Sequence, residues 1–214
     1  MIARFPAPRP PIVHIVEDDR AAREATARFL RLSGHQVRTY GTATEFLDAT
    51  VGGPGCIVLD LHLPGPNGLE LQEALACSED PLPVVFLSGR CEIRQSVQAM
   101  KGGAVDFLTK TADGSELLAA ISRALTKDAQ DRLRRSRMRA LRERHDRLSP
   151  REREVLAHLI SGQLNKQVGF DLGISEQTTK IHRHRILEKM QANSIADLVR
   201  MAADLGIMPV GAVR

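Results

Sequence analysis

Short apolar runs alternate with amphipathic stretches through roughly the first 125 residues. The runs fall at 12–16 (Ile-Val-His-Ile-Val), 36–40, 56–60, 83–87 and 105–108. They have the length and the apolar, largely β-branched character of buried strands. Between them, at about 19–33, 43–50, 67–77, 92–101 and 114–126, apolar residues recur at the three- and four-residue spacing of a helix with one buried face. Five such units in sequence predict an α/β domain over 12–127, a doubly wound, five-stranded parallel sheet with right-handed crossovers.

The pattern changes after Lys127. Residues 128–147 carry eight arginines, four acids and few apolar side chains. Acid-first pairs spaced i,i+4 (Asp128–Arg132, Asp131–Arg135, Glu143–Arg147) favour an exposed helix, so this segment reads as a helical linker. A phosphate-binding basic run is the alternative. From Leu148 the periodicity is helical throughout, predicting an all-α domain of four helices over 148–208. Ser149-Pro150-Arg151-Glu152 opens the first helix with a capping serine, a proline at the first helical position and a capping glutamate. Asn165 is expected to cap a second, short helix ending at Gly173. Ser175 is expected to cap a third running to about Met190, and a fourth spans about 194–204. The second and third helices, joined by a turn, make a helix-turn-helix.

Charge divides the same way. Residues 12–127 carry 11 Lys and Arg against 15 Asp and Glu, whereas residues 128–214 carry 17 against 11. A cation suits the first part and a polyanion the second. No stretch approaches the roughly 18 consecutive apolar residues of a membrane span. The proline-rich first eleven residues lack the apolar core of a signal peptide and read as a disordered arm on a cytoplasmic protein. Cys56, Cys77 and Cys91 are odd in number and irregularly spaced, which argues against a disulfide framework. Cys56 reads as core. Cys91 falls in a loop, where an inert thiol is expected and a redox role is the alternative.

Polar residues at strand ends carry the chemistry. Asp60 closes the third run, and Glu17-Asp18-Asp19 follows the first. Neighbouring strands would bring Glu17, Asp18 and Asp60 to one sheet edge, where open α/β sheets bind ligands. Carboxylates so close are costly without a cation among them. They therefore ask for a divalent metal, with Mg²⁺ matching such hard oxygen donors and the His62 backbone carbonyl and waters filling its octahedron. Asp19 is expected to cap the first helix instead. Asp60 becomes a candidate nucleophile. Ser88 and Lys110 follow the fourth and fifth runs, where a hydroxyl and an ammonium can hold the oxygens of a phosphoryl group on Asp60.

With Pro64, Gly68 and Phe107 in their places, residues 12–127 resemble the receiver domain of two-component response regulators. The resemblance implies that a histidine kinase phosphorylates Asp60 with Mg²⁺ bound. It also implies that Ser88 then moves toward the phosphate, and that Phe107 turns inward and alters the surface near the fourth and fifth helices. One departure stands out. The family has Lys-Pro-Phe with a cis bond, where this chain reads Lys110-Thr111-Ala112. A cis bond before threonine costs about 3–4 kcal/mol, which predicts a trans bond and a less firmly held Lys110.

The segment from Leu148 through Gly162-Gln-Leu-Asn165-Lys166, Leu172-Gly-Ile-Ser175 and Thr178-Thr-Lys180-Ile-His182 to Lys189-Met190 is similar to the LuxR-type DNA-binding domain. Together the two parts resemble the FixJ/NarL class of transcription regulators. On the third helix Thr179, His182, Ile186 and Met190 share an inward stripe. Lys180, Ile181 and His184 lie opposite, where a recognition helix meets base edges in the major groove of double-stranded DNA. Gln177, Thr178, Arg183, Arg185, Lys189, Asn165 and Lys166 suit phosphate contacts. Gly169 and Thr179 replace the usual alanine and valine, which is expected to loosen packing.

The reading is a regulator, not a dedicated enzyme: kinase-dependent phosphorylation controls DNA binding, with a homodimer as the active form and no membrane partner. Binding to DNA without control by phosphorylation, through a degenerate receiver, is the alternative. A flavin site would need a phosphate loop where Glu17-Asp18-Asp19 would repel it. A haloacid-dehalogenase-type phosphatase would need an aspartate where His62 stands.

Overall fold

The computed structural model describes residues 10–49, 52–89 and 93–211. Most of the N-terminal arm, and Cys91, lie outside the described residues. The chain divides into two compact units between Arg132 and Leu133.

In the first unit the strands are β1 (Ile12–Val16), β2 (Gln36–Tyr40), β3 (Gly55–Leu59), β4 (Val84–Ser88) and β5 (Asp106–Thr109). The helices are α1 (Arg20–Leu32), α2 (Ala43–Asp48), α3 (Gly68–Ala76), α4 (Ile93–Lys101) and α5 (Gly114–Asp146). All strand pairs are parallel, in the order β2-β1-β3-β4-β5. The chain winds outward in both directions from the β1–β3 pair, so the crevice above that pair is the topological switch point.

Strand β3 is buried at every position, as expected for a central strand covered on both faces. Its side chains alternate between two cores. Ile57 and Leu59 join Val16, Phe46, Leu71, Phe86 and Ala99 on one side. Cys56 and Val58 join Val13, Ile15, Leu30 and Ile121 on the other. Burial pushes the Cys56 thiol pKa up to about 12, so it is core and inert.

Three expectations are corrected here. β3 ends at Leu59, one residue earlier than the apolar run, which leaves Asp60 just beyond the strand. The expected helix at 114–126 and the expected helical linker are one 33-residue helix, α5, because the sequence changes composition there without a cap or a breaker. Asp128 is also not the exposed half of a surface pair. It is buried, accepts the Gly55 N–H (2.9 Å) and binds Arg132 Nε (2.9 Å), while Arg132 also donates to the Gly53 carbonyl. Asp131 pairs with Lys127 (3.0 Å), and Glu143 and Arg147 form no ion pair among the described residues.

The second unit packs α6 (Pro150–Ile160), α7 (Asn165–Leu172), α8 (Glu176–Met190) and α9 (Ile195–Asp204) around Leu148, Val155, Leu156, Leu159, Val168, Ile186, Met190 and Leu198, joined by Leu141 of α5. Ser149 and Glu152 form the expected capping box, and Ser175 caps α8 through the Thr178 N–H (3.0 Å). Gly173 ends α7 with φ 66°, a left-handed conformation that glycine adopts without steric cost. Asn165 does not cap α7. The helix begins at Asn165 itself, and Gln167 Oε1 accepts the Leu164 N–H (2.8 Å).

Candidate functional site

The sheet ladder continues one bond past β1, β3 and β5, and those extra bonds fix the polar residues at its carboxyl edge. Asp60 N–H donates to Val16 O (2.9 Å), Glu17 N–H to Tyr40 O (3.1 Å) and Lys110 N–H to Ser88 O (2.9 Å). Glu17 and Asp60 are buried, while Asp18 is exposed. One carboxylate oxygen from each of the three lies within 4.8 Å of the others, an all-oxygen donor set that fits a hard divalent cation. Lys110 reaches across the sheet edge to Asp60 Oδ2 (2.7 Å) and Glu17 Oε2 (2.6 Å). Ser88 is fully buried, with its hydroxyl 3.5 Å from His62 Nδ1. The His62 N–H donates to Asp60 Oδ1 (3.3 Å). Phe107 is partly buried and stacks on Phe86 with ring centroids 5.8 Å apart.

Burial pushes the Glu17 carboxyl above its ordinary pKa, and the Lys110 ammonium pulls it back only in part. For Lys110 burial opposes the charge, yet hydrogen bonds to Asp60 and Glu17 outweigh it and raise the pKa. The ammonium is the cavity's internal counter-charge. The Lys110–Thr111 bond is trans, as expected, since no described peptide bond is cis. The expectation that Lys110 is held loosely is corrected: two carboxylates grip it below 3 Å.

Three supports at this edge were not singled out for these contacts in the sequence. Asp19 caps α1 through the Ala22 N–H (2.9 Å), as predicted, but its N–H also steadies Glu17 Oε1 (3.2 Å). Arg23 donates to the carbonyls of Glu17 and Asp18, a contact that no sequence spacing advertises. Gly68 sits so close to the loop after β3 that a Cβ would come 2.4 Å from Asp60 O.

On α8, Thr179, Ile186 and Met190 point inward, with His182 partly buried beside them. Lys180, Ile181, His184, Gln177 and Arg185 are exposed, as is Lys166 on α7. Lys180 pairs with Glu176 (3.0 Å) at the surface, and Arg183 donates to Asn165 Oδ1 (3.4 Å). Lys189 is corrected: its ammonium binds the buried Glu152 carboxylate (2.6 Å), so it braces α8 on α6 and is not free for a phosphate. The Thr178 hydroxyl is likewise engaged, with Ser175 Oγ (2.8 Å). Nor do Gly169 and Thr179 loosen the turn. A Cβ on Gly169 would meet Ile174 O at 2.8 Å and Thr179 Oγ1 at 3.3 Å, and Thr179 donates to Ser175 O (3.2 Å).

Residues 13–122 match the response regulator receiver domain, and residues 146–202 match the bacterial regulatory proteins of the luxR family. The chain is 40% identical over 203 residues to the response regulator protein TodT of Pseudomonas putida, an alignment covering 94% of this chain and 89% of that protein. It is 39% identical over 198 residues to the transcriptional regulatory protein FixJ of Azorhizobium caulinodans, covering 92% and 94%. The solved structure of the response regulator StyR superposes with a TM-score of 0.81 at 39% identity, covering 91% of this chain and 98% of that one. Among the described residues no helix is long and apolar enough to cross a membrane.

Proposed function

This chain belongs to the response regulators that join a receiver domain to a LuxR-type DNA-binding domain, and we propose that a phosphoryl group on Asp60 controls its DNA binding. The supporting observation is the convergence of Lys110 on Asp60 (2.7 Å) inside the Glu17, Asp18 and Asp60 cluster. An Asp60 oxygen attacks the phosphorus of a kinase phosphohistidine, the P–N bond breaks and the imidazole leaves. Lys110 follows the transferred charge from Glu17 onto the phosphoryl oxygens, and Ser88 donates its hydroxyl to another. Glu17, Asp18, Asp60 and the His62 carbonyl would hold Mg²⁺, whose double charge neutralises the remaining phosphoryl oxygens.

Movement of Ser88 opens space into which Phe107 turns, and the surface near α4 and the start of α5 changes. Along α4, Ile93, Val97 and Met100 are exposed at helical spacing, an apolar face suited to a homodimer of the phosphorylated form. The receiver spans 12–127, residues 128–147 link it, and the DNA-binding domain spans 148–208. Lys180, Ile181 and His184 read bases in the major groove, while Gln177, Arg183, Arg185, Asn165 and Lys166 set register on phosphates. The setting is cytoplasmic, and the partners are a histidine kinase and double-stranded DNA.

Incubation with acetyl phosphate and Mg²⁺, read by intact mass, tests the assignment. One phosphoryl group is expected on the wild type and none on Asp60→Asn. Equal labelling of both would refute it.

A further inference from the structure

The second unit carries most of its positive charge away from the recognition helix. Between Arg134 and Arg147 stand seven arginines against Glu143 and Asp146, a net of +5. Helix α8 has two lysines and two arginines against Glu176 and Glu188, a net of +2. Arg134, Arg137, Arg139 and Arg142 are exposed, and among the described residues none has a carboxylate within ion-pair distance. Their spacing sets like charges against one another: Arg134 is three residues from Arg137, and Arg139 is three from Arg142. Like charges so placed repel on an exposed helix, a cost that an anionic partner removes. These arginines are also not on a free tether. Leu141 and Leu148 are buried in the same cluster as Ile186 and Met190 of α8, so the basic stretch is anchored to the unit that holds the recognition helix.

We propose that Arg134, Arg137, Arg139 and Arg142 form a second DNA-binding surface, one that grips phosphates outside the base-reading contact of α8. From Arg134 to Arg142 the helix rises about 12 Å, the length of three to four base pairs of duplex. Guanidinium forks suit phosphate oxygens, and phosphate contacts add affinity without sequence preference. The inference rests on the DNA-binding reading of this unit and extends its footprint.

The test uses the full chain and a duplex of about 40 base pairs of arbitrary sequence, with affinity measured by anisotropy between about 50 and 200 mM salt. Each phosphate contact contributes about 0.9 to the slope of log K on log salt. Replacing the four arginines with glutamine is expected to make the slope shallower by about two to three. The variant's deficit would then shrink roughly thirtyfold across that range. The four-lysine variant is expected to keep the wild-type slope, which separates charge from folding. An unchanged slope in the glutamine variant, with wild-type DNA binding intact, overturns this proposal alone. A loss of binding to phosphatidylglycerol vesicles with an unchanged duplex slope overturns it in favour of a membrane surface. Absence of duplex binding by the wild type overturns this proposal and the DNA-binding reading together.

Discussion

Lys110 Nζ lies 2.6 Å from Glu17 Oε2, so the ammonium that faces Asp60 also belongs to a neighbouring acid. Glu17 and Asp60 are 5% and 6% exposed, and Lys110 offsets both charges. Lys110→Met removes that offset and leaves two buried carboxylates facing each other. Without divalent cations the receiver is expected to lose about 2–4 kcal/mol by urea unfolding, most of it recovered in excess Mg²⁺. Unchanged stability in the variant would show that Lys110 is not the counter-charge.

Gly68 is fixed by close approach. It begins α3, where alanine is favoured by helix propensity by up to about 1 kcal/mol. A Cβ there would come 2.4 Å from Asp60 O and 3.0 Å from both Leu61 Cα and the Phe86 ring. Backbone cannot yield as a flexible side chain can, so strain outweighs propensity. Gly68→Ala is expected to destabilise the receiver by about 1–3 kcal/mol and to slow acetyl phosphate labelling. Greater stability with normal labelling would contradict the packing described.

How far these features were legible follows from physical range. Helices were read because one buried face imposes a period of 3.6, and strands because burial on both faces of a parallel sheet leaves short apolar runs. The site was read because parallel strands deliver their carboxyl ends to one edge, so Asp60, Glu17, Ser88 and Lys110 announce themselves by following apolar runs. What escaped was tertiary. Asp128–Arg132 has the same spacing whether solvated or clasped to Gly55, and only the fold buries it. Lys189 and Glu152 are 37 residues apart, and helical spacing alone assigned the lysine to DNA. The continuity of α5 escaped because a change of composition looks like a boundary even where nothing interrupts the backbone.

His14 gives the receiver a pH dependence of known sign. It is 3% exposed on β1, with Nδ1 3.1 Å from the Tyr40 hydroxyl and its ring against Phe46. Burial, helped by Arg38, lowers its pKa from 6.5 to about 4. The folded state therefore stays neutral while the unfolded chain takes up a proton. Stability is intact above pH 6.5 and falls as pH drops toward about 4, by at most about 3 kcal/mol. In denaturant titrations the stability of wild type relative to His14→Phe should fall as pH drops through that window. Parallel curves would mean that His14 titrates alike in both states.

Coupling between the two domains is read by DNA affinity with and without acetyl phosphate and Mg²⁺, for wild type and Asp60→Asn. The ligand is a duplex selected from a random pool for tightest binding. In the wild type, phosphorylation is expected to change the dissociation constant by about fivefold or more, the scale of ordinary allosteric coupling. In Asp60→Asn the same treatment is expected to change nothing. Equal affinity in all four samples would contradict control through Asp60 and leave a DNA-binding protein whose receiver does not govern it.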